Sequence, residues 1–320
     1  MKRFLLLALS TVMCLLSLTS CVVNTTPVEG ETDVKIETKP DILDIDPIEP
    51  DSTFEFTQEN YPKMGGSLAN LPLGEAVTAA VLGIDRETAN SMITFEGSTT
   101  DNYKALIDDT FDIILAYEMG EDALKYAADK GVELEMTAIG ADALVFICSL
   151  ENGVESLTRQ QIEEIYKGNI TNWKEVGGDD HLIIPYQRNK DSGSQTLFDK
   201  LVNLGDQLME APADTKIGSM IGLLEAVADY DNSKDALGYT VYYYLTNMES
   251  DKLNTSKLLA VDGVVPTNDA IASGEYPYVN DFYVVIRADA AEDSPERVLY
   301  NWIISEQGKE LARRENYVTK

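Results

Sequence analysis

Residues 187–198 read Gln-Arg-Asn-Lys-Asp-Ser-Gly-Ser-Gln-Thr-Leu-Phe. Arg188 stands four residues before Ser192-Gly193-Ser194, and that triplet runs directly into an apolar-periodic segment with Leu197, Phe198, Leu201 and Val202. The spacing predicts a loop feeding a helix N-terminus, where unpaired backbone N–H groups and the positive end of the helix dipole attract an anion. Two hydroxyls and a guanidinium add donors to that end. The same residues also fit an N-cap serine with a surface arginine nearby, so the flanking chain has to decide.

Outward from this stretch the same grammar recurs. Residues 183–186 form a strand that delivers the chain to the loop. Gly65-Gly66-Ser67-Leu68-Ala69-Asn70-Leu71-Pro72 leads into a helical pattern through Leu73, Ala76, Val77, Ala80 and Val81. A short strand at 92–95 is followed by Glu96-Gly97-Ser98-Thr99-Thr100-Asp101-Asn102 and a helix at 103–108. Repetition of strand, hydroxyl-rich loop and helix predicts an α/β fold with a mostly parallel sheet, whose ligands sit at the carboxyl ends of strands. Further strands are expected at 111–116, 143–149, 237–245, 258–261 and 282–286. Helices are expected at 121–130, 158–167 (capped by Thr158), 217–230 and 295–314, the last as one amphipathic closing helix. Tyr242, Tyr243 and Tyr244 could line a cleft, although alternation along a strand puts at least one of them in the core.

Composition narrows the function. The chain has 320 residues and a net charge of -30, with 44% hydrophobic residues. That is enough for one large or two ordinary domains. The charge excludes nucleic acid as a partner, because no basic stripe can neutralise phosphates. It does not exclude a small anion, since distant surface charge is screened within about 10 Å in salt while a buried anion responds to local dipoles.

At the N-terminus, Lys2 and Arg3 precede an apolar run at 4–18 and then Leu18-Thr19-Ser20-Cys21. A run of about 15 residues is short for a membrane span. The segment resembles the lipobox of a bacterial lipoprotein signal, which implies a signal peptide at 1–20, cleavage before Cys21 and a diacylglycerol anchor on its sulfur. Residues 21–53 then make a lipidated cysteine and an acidic, proline-containing tether with too few large apolar residues to fold. Cys14 leaves with the signal, so Cys148 remains as a buried, inert thiol.

Several ordered segments carry a wider resemblance. Ser156-Leu157-Thr158, Tyr166-Lys167-Gly168-Asn169-Ile170-Thr171-Asn172-Trp173-Lys174-Glu175-Val176-Gly177-Gly178, Ile184-Pro185-Tyr186-Gln187-Arg188 and Ser192-Gly193-Ser194 occur in that order. So do Val261-Asp262-Gly263-Val264-Val265-Pro266-Thr267, Ile271-Ala272-Ser273-Gly274-Glu275-Tyr276-Pro277 and the closing run with Trp302, Ser305-Glu306-Gln307-Gly308-Lys309 and Asn316-Tyr317-Val318. Together they resemble the phosphate-binding lipoproteins that serve ABC phosphate importers. The resemblance implies a two-lobed type II periplasmic-binding-protein fold with mixed, mostly parallel sheets flanked by helices and a ligand cleft between the lobes. Lobe one is expected at 54–142 plus 281–320, and lobe two at 143–280.

Carried over residue by residue, the resemblance implies ligand contacts from Arg188, Ser192, Gly193 and Ser194. From lobe one it implies Asn70 and Leu71, and one of Ser98 and Thr99. The family's aspartate, which accepts a proton from a protonated phosphate, falls on Tyr117, five residues after Asp112. A tyrosine both donates and accepts, so phosphate and sulfate would be less sharply separated there. Glu118 is the neighbouring carboxylate that could substitute.

The function expected from this resemblance is a lipid-anchored, extracytoplasmic solute-binding protein of a bacterial cell membrane. It is a monomer that captures phosphate or a similar oxyanion and hands it to an ABC importer permease, with no cofactor, metal or catalysis. The alternative of the same fold is a receptor-like or adhesive surface protein without tight oxyanion binding. A serine hydrolase built on Ser192 or Ser194 would need His181, the only histidine, beside Asp180. Neither a Gly-x-Ser-x-Gly elbow nor a Walker loop accompanies it.

Overall fold

The structure is a computed structural model, and it describes residues 54–190, 192–228 and 234–320. The expected signal peptide, Cys21 and tether lie outside the described residues. The first elements are β1 (Met64–Gly66), α1 (Leu71–Leu82), α2 (Arg86–Ser91), α3 (Thr99–Ile107), β2 (Ile113–Tyr117) and α4 (Glu121–Lys130). They are followed by β3 (Leu134–Ser149), β4 (Ser156–Leu157), α5 (Arg159–Tyr166), β5 (Ile184–Pro185), β6 (Gln187–Arg188) and α6 (Gly193–Leu201). Then come β7 (Lys216–Ile217), α7 (Met220–Ala228), β8 (Ala236–Val241), β9 (Ser256–Leu258), β10 (Ala260–Val261) and α8 (Asn268–Ser273). The chain closes with β11 (Val279–Arg287), α9 (Pro295–Ile303), α10 (Glu306–Arg314) and β12 (Val318–Thr319).

The main sheet has the order β1-β2-β11-β3-β8-β5, with β12 and β9 also paired to β3. Its organising strand is β3, 16 residues long. Residues 134–143 of β3 pair antiparallel with β11, and residues 144–148 pair antiparallel with β8. One strand is thus shared by two groups of elements, and the change of partner falls at Asp142, Ala143 and Leu144. Parallel pairing occurs at β1–β2 and β5–β8, and in the small sheets β10–β4 and β6–β7. The result is a mixed α/β sheet flanked by helices. Its antiparallel share is larger than the expected mostly parallel arrangement, because β3 and β11 each run against their neighbours.

Several local expectations need correction. Residues 92–95 make only an isolated bridge, Gly65 to Thr94. The strand expected at 237–245 stops at Val241 and gives way to a helical turn at Tyr244–Met248. The helix expected from 217 begins at Met220, because Ile217 pairs with Arg188 in a parallel ladder. The single closing helix is two, broken where the Ser305 hydroxyl donates to the Trp302 carbonyl at 2.6 Å and caps the Gly308 N–H at 3.4 Å. Capping decides the break, since a satisfied N-cap offsets the loss of continuous helix.

Burial explains why the site-bearing helices are held firmly. Phe198 of α6 stacks on Tyr239 of β8 with centroids 4.7 Å apart, and packs edge-on against Tyr166 of α5, also at 4.7 Å. Both tyrosines and Phe198 are fully buried. Aromatic burial of this kind contributes about 1.5–3 kcal/mol per side chain before cavity terms, so the N-terminus of α6 has a rigid backing. Gly66 serves the other group of elements: a Cβ there would lie 2.2 Å from the Leu115 carbonyl oxygen, so only glycine lets β1 lie against β2 at this point. Cys148 is buried in β3, and burial pushes its thiol up to about 12.

Candidate functional site

A cleft of about 430 Å³ opens between the two groups of elements that share β3. On one side it is lined by Ser67, Leu68 and Ala69 before α1, by Gly97, Ser98, Thr99 and Asp101 at the start of α3, and by Tyr117 at the end of β2. On the other side stand Arg188 and Asn189 after β6, Ser192, Gly193 and Ser194 at the start of α6, and Gly218, Ser219 and Met220 at the start of α7. Three helix beginnings therefore face one space, each bringing first-turn amides that have no intrahelical acceptor.

Arg188 is the centre of the charge balance. It is buried, with Nε donating to the Ile217 carbonyl at 3.1 Å, Nη1 to the Ser194 hydroxyl at 3.2 Å and Nη2 to the Gly218 carbonyl at 3.3 Å. All three partners are neutral. Burial pushes the guanidinium below its ordinary value, yet arginine stays charged in any accessible pH range. Of its five N–H groups, three are used and one remains on each terminal nitrogen, the pair that engages an oxyanion in a planar fork. Its own backbone N–H is fixed by Gln195 Oε1 at 3.2 Å and the Tyr239 hydroxyl at 3.0 Å, which ties the arginine to α6 and β8.

On α6 the Ser192 hydroxyl caps the helix by accepting the Gln195 N–H at 3.2 Å. The amides of Gly193 and Ser194 precede the first intrahelical bond. Gly193 also stands close against the opposite wall, because a Cβ there would lie 2.6 Å from the Thr99 hydroxyl oxygen. Opposite, Ser98 is committed to a capping box. Its hydroxyl donates to Asp101 Oδ2 at 2.7 Å and accepts the Asp101 N–H at 3.1 Å. Thr99 is buried, and its hydroxyl meets that of Ser67 at 3.3 Å. Of the two residues left open by sequence, Thr99 is thus the one whose hydroxyl lies against the opposite wall.

Asn70 and Leu71 are displaced from their expected role. Asn70 is the N-cap of α1, is wholly buried and does not line the cleft, while Leu71 packs partly buried against the core. A 3₁₀ turn at Leu68–Asn70 carries the chain past the cleft three residues earlier, so Ser67, Leu68 and Ala69 form this part of the wall. Sequence reading also missed Gly218 and Ser219. Their signal was available, since a Gly-Ser pair before an apolar helix is itself a cap: the Ser219 hydroxyl accepts the Gly222 N–H at 3.1 Å.

Tyr117 lines the cleft, but its hydroxyl donates to Asp142 Oδ2 at 2.7 Å and its carbonyl accepts from the Tyr103 hydroxyl at 2.8 Å. Burial first, and the adjacent Asp142 second, hold the phenol well above its ordinary value. Glu118 is outside the cleft lining and pairs with Lys200 of α6, whose Nζ also reaches Asn280 Oδ1 at 3.3 Å. A second ion pair spans the same boundary, Lys190 to Asp122 at 3.3 Å. Of the three consecutive tyrosines none lines the cleft: Tyr243 stacks on Tyr317 with centroids 3.7 Å apart. His181 is exposed, with Nδ1 3.4 Å from Asp235 Oδ1, and is likewise outside the cleft lining, so Ser192 and Ser194 have no histidine to activate them. Among the described residues no group of three or more His, Cys, Asp or Glu could hold a metal ion, and no helix is long and apolar enough to cross a membrane.

Two groups of α/β elements around a shared strand, with a buried arginine and three helix beginnings at one cleft, define a two-lobed binding protein. A family model described as a PBP superfamily domain matches residues 66–307, and the chain belongs to that periplasmic-binding-protein superfamily. Among curated relatives, the phosphate-binding protein PstS of Borreliella burgdorferi is 24% identical over 264 residues, 81% of this chain and 90% of the relative. PstS of Bacillus subtilis is 30% identical over 146 residues, 46% of this chain and 44% of the relative. A phosphate ABC transporter substrate-binding protein with bound phosphate, from Clostridium perfringens, has a TM-score of 0.64 at 23% identity, covering 82% of this chain and all of that one. An ABC-type phosphate transport receptor from Vibrio cholerae has a TM-score of 0.59 at 23% identity, covering 81% of this chain and all of that one.

Proposed function

We propose that this protein is a lipid-anchored, extracytoplasmic solute-binding protein that captures phosphate or a related small oxyanion and presents it to an ABC importer. The observation that carries the reading is Arg188, a buried guanidinium whose hydrogen-bond partners are neutral and which keeps two N–H groups for a ligand. A buried charge without a counter-charge is unfavourable on its own, so an anion in the cleft completes it. Curated relatives that are phosphate-binding proteins support phosphate as the first candidate. Support for the anchor comes from Leu18-Thr19-Ser20-Cys21.

In this reading residues 54–142 and 281–320 form lobe one and residues 143–280 form lobe two, with the crossings at Asp142–Leu144 and the start of β11. Arg188, Ser192, Gly193, Ser194 and Ser219 would hold the anion from lobe two, and Ser67 and Thr99 from lobe one. Capture needs no catalysis: lobe closure removes water and aligns the donors. Titration calorimetry of Arg188→Ala with phosphate tests it. The expected loss is about 2–5 kcal/mol, or roughly 30-fold to several thousand-fold in Kd. Unchanged affinity would remove Arg188 from the site, and a wild-type protein stabilised by none of phosphate, sulfate and molybdate would favour the receptor-like alternative.

A further inference from the structure

Of the three consecutive tyrosines at 242–244, the middle one joins the two groups of elements that share β3. In the two-lobed reading above, on which this inference rests, Tyr243 follows β8 and belongs to lobe two, yet its side chain is seated in lobe one. Its ring lies nearly parallel to that of Tyr317, with 10° between the planes and 3.7 Å between centroids, and its hydroxyl donates to the Glu315 carbonyl at 2.8 Å. Both tyrosines are buried. The backbone N–H of Tyr243 is fastened as well: it donates to Asp142 Oδ1 at 3.0 Å, beside the point where β3 passes from β11 to β8.

The same contacts reach the lobe-one wall of the cleft at two places. Tyr317 donates its hydroxyl to the Ala69 carbonyl at 2.7 Å, and Ala69 lines the cleft. Tyr117 lines it too, and its hydroxyl donates to Asp142 Oδ2 at 2.7 Å, on the carboxylate that also holds the Tyr243 N–H. Two segments of one wall are thus tied to a single residue of the opposite lobe. Sheet surrounds the stack: the Phe282 ring of β11 lies 5.2 Å from that of Tyr317, and Val318 of β12 pairs with Ala141 of β3.

We infer that Tyr243 is a positioning residue: it is the pivot on which lobe two turns against lobe one, and it holds the two cleft walls in register. A rotation about the crossings displaces atoms in proportion to their distance from the axis. A contact beside the crossings therefore survives opening, while the ion pairs Lys200–Glu118 and Lys190–Asp122 between the lobes must part. Stacked rings can turn about their common normal at little cost, whereas sliding or separating them forfeits dispersion contact. The close approach of Gly193 to Thr99 depends on such register.

Small-angle scattering of the ligand-free protein and stopped-flow phosphate binding, on the wild type, Tyr243→Leu, Tyr243→Phe and Tyr317→Phe, provide the test. Tyr243→Leu removes the stack and the Glu315 bond at a residue outside the cleft lining. Without its pivot the ligand-free protein should expand on average, and the Kd for phosphate should rise by about five- to twentyfold, mainly through the dissociation rate. Tyr243→Phe keeps the stack and should stay within about twofold of wild type. A residue that served stability alone would lower the melting temperature and leave both scattering and rates unchanged, and that result would overturn the inference. If Tyr243→Leu does not fold, Tyr317→Phe carries the test. It loses only the Ala69 bond and should speed dissociation by about two- to fivefold, and an unchanged rate would overturn the pivot's hold on the wall. A wild type that binds no phosphate would overturn the oxyanion reading, and the ligand-free scattering would then decide the pivot by itself.

Discussion

Replacing Gly193 by alanine should block closure without unfolding either side of the cleft. The added Cβ would sit 2.6 Å from the Thr99 hydroxyl oxygen, whereas an ordinary contact begins near 3.4 Å, so the two walls must separate by about 0.8 Å. The obstacle cannot be relieved by a flexible tip, because Thr99 is buried at the first turn of α3 and its hydroxyl is held against Ser67. Overpacking of this kind costs about 1–3 kcal/mol, here only where the two walls approach as closely as they do in this structure. In the proposed mechanism capture requires closure, so the Kd for phosphate should rise by roughly 5- to 150-fold while the melting temperature of the unliganded protein moves little. A double-mutant cycle with Thr99→Ala removes the obstructing oxygen. In that background Gly193→Ala should cost almost nothing, although Thr99→Ala itself weakens binding by losing a donor. Calorimetry on the four proteins gives the coupling energy. An equal cost of Gly193→Ala in both backgrounds would refute the reasoning, as would no cost in either.

The ion pair between Lys200 and Glu118 spans the boundary between the two groups of elements and is about half-exposed, so Lys200→Glu should weaken phosphate capture by no more than about fivefold. Adding Glu118→Lys should restore it, and stopped-flow measurement should place the change in the dissociation rate. The raised value of Asp142 makes stability fall as pH rises. Between its unfolded value of 3.8 and about 6 the folded protein holds the proton that the unfolded chain has lost, so the folded state gains as pH drops through that window. The contribution is at most about 3 kcal/mol, and chemical denaturation of Asp142→Asn should show a flatter profile from about pH 4 to 7 and a stability at neutral pH no lower than that of wild type.

Local chemistry decided what could be read from sequence. The Arg188 loop and the start of α6 were legible because a serine cap, a glycine and an apolar period lie within a dozen residues. Helix α4 was legible to its last residue because Gly120 and Gly131 punctuate both ends. By contrast, the first half of β3 carries Glu135, Thr137 and Gly140 between apolar residues, and its first five residues are only partly buried. The alternation of Leu134, Met136 and Ala138 with Glu135 and Thr137 does signal a half-buried strand, but it lasts five residues and stops at Ile139, so it does not announce a strand of 16 residues. The shift from Asn70 and Leu71 to Ser67, Leu68 and Ala69 had another cause. A loop of Gly-Gly-Ser-Leu-Ala-Asn-Leu-Pro does not reveal which amides face outward until the 3₁₀ turn at Leu68–Asn70 is formed. Asp142 did leave a trace, a lone carboxylate in an otherwise apolar stretch at 138–148, but its partners Tyr117 and Tyr243 are 25 and 101 residues away.

A net charge of -30 and an anion cleft are compatible because the two act over different distances. Surface carboxylates beyond about 10 Å are screened by salt, and many are already paired, such as Asp108 with Lys130 and Glu310 with Arg314. Inside the cleft the balance is local. Arg188 is desolvated and its bonded partners are neutral, so its field is undiminished. The starts of α3, α6 and α7 add the positive ends of three helices. Asp142 is a buried carboxylate bonded to Tyr117, which lines this space, while Asp101 lines it directly. The attraction for an anion thus comes from both walls, from Arg188 and the starts of α6 and α7 on one and from the start of α3 on the other.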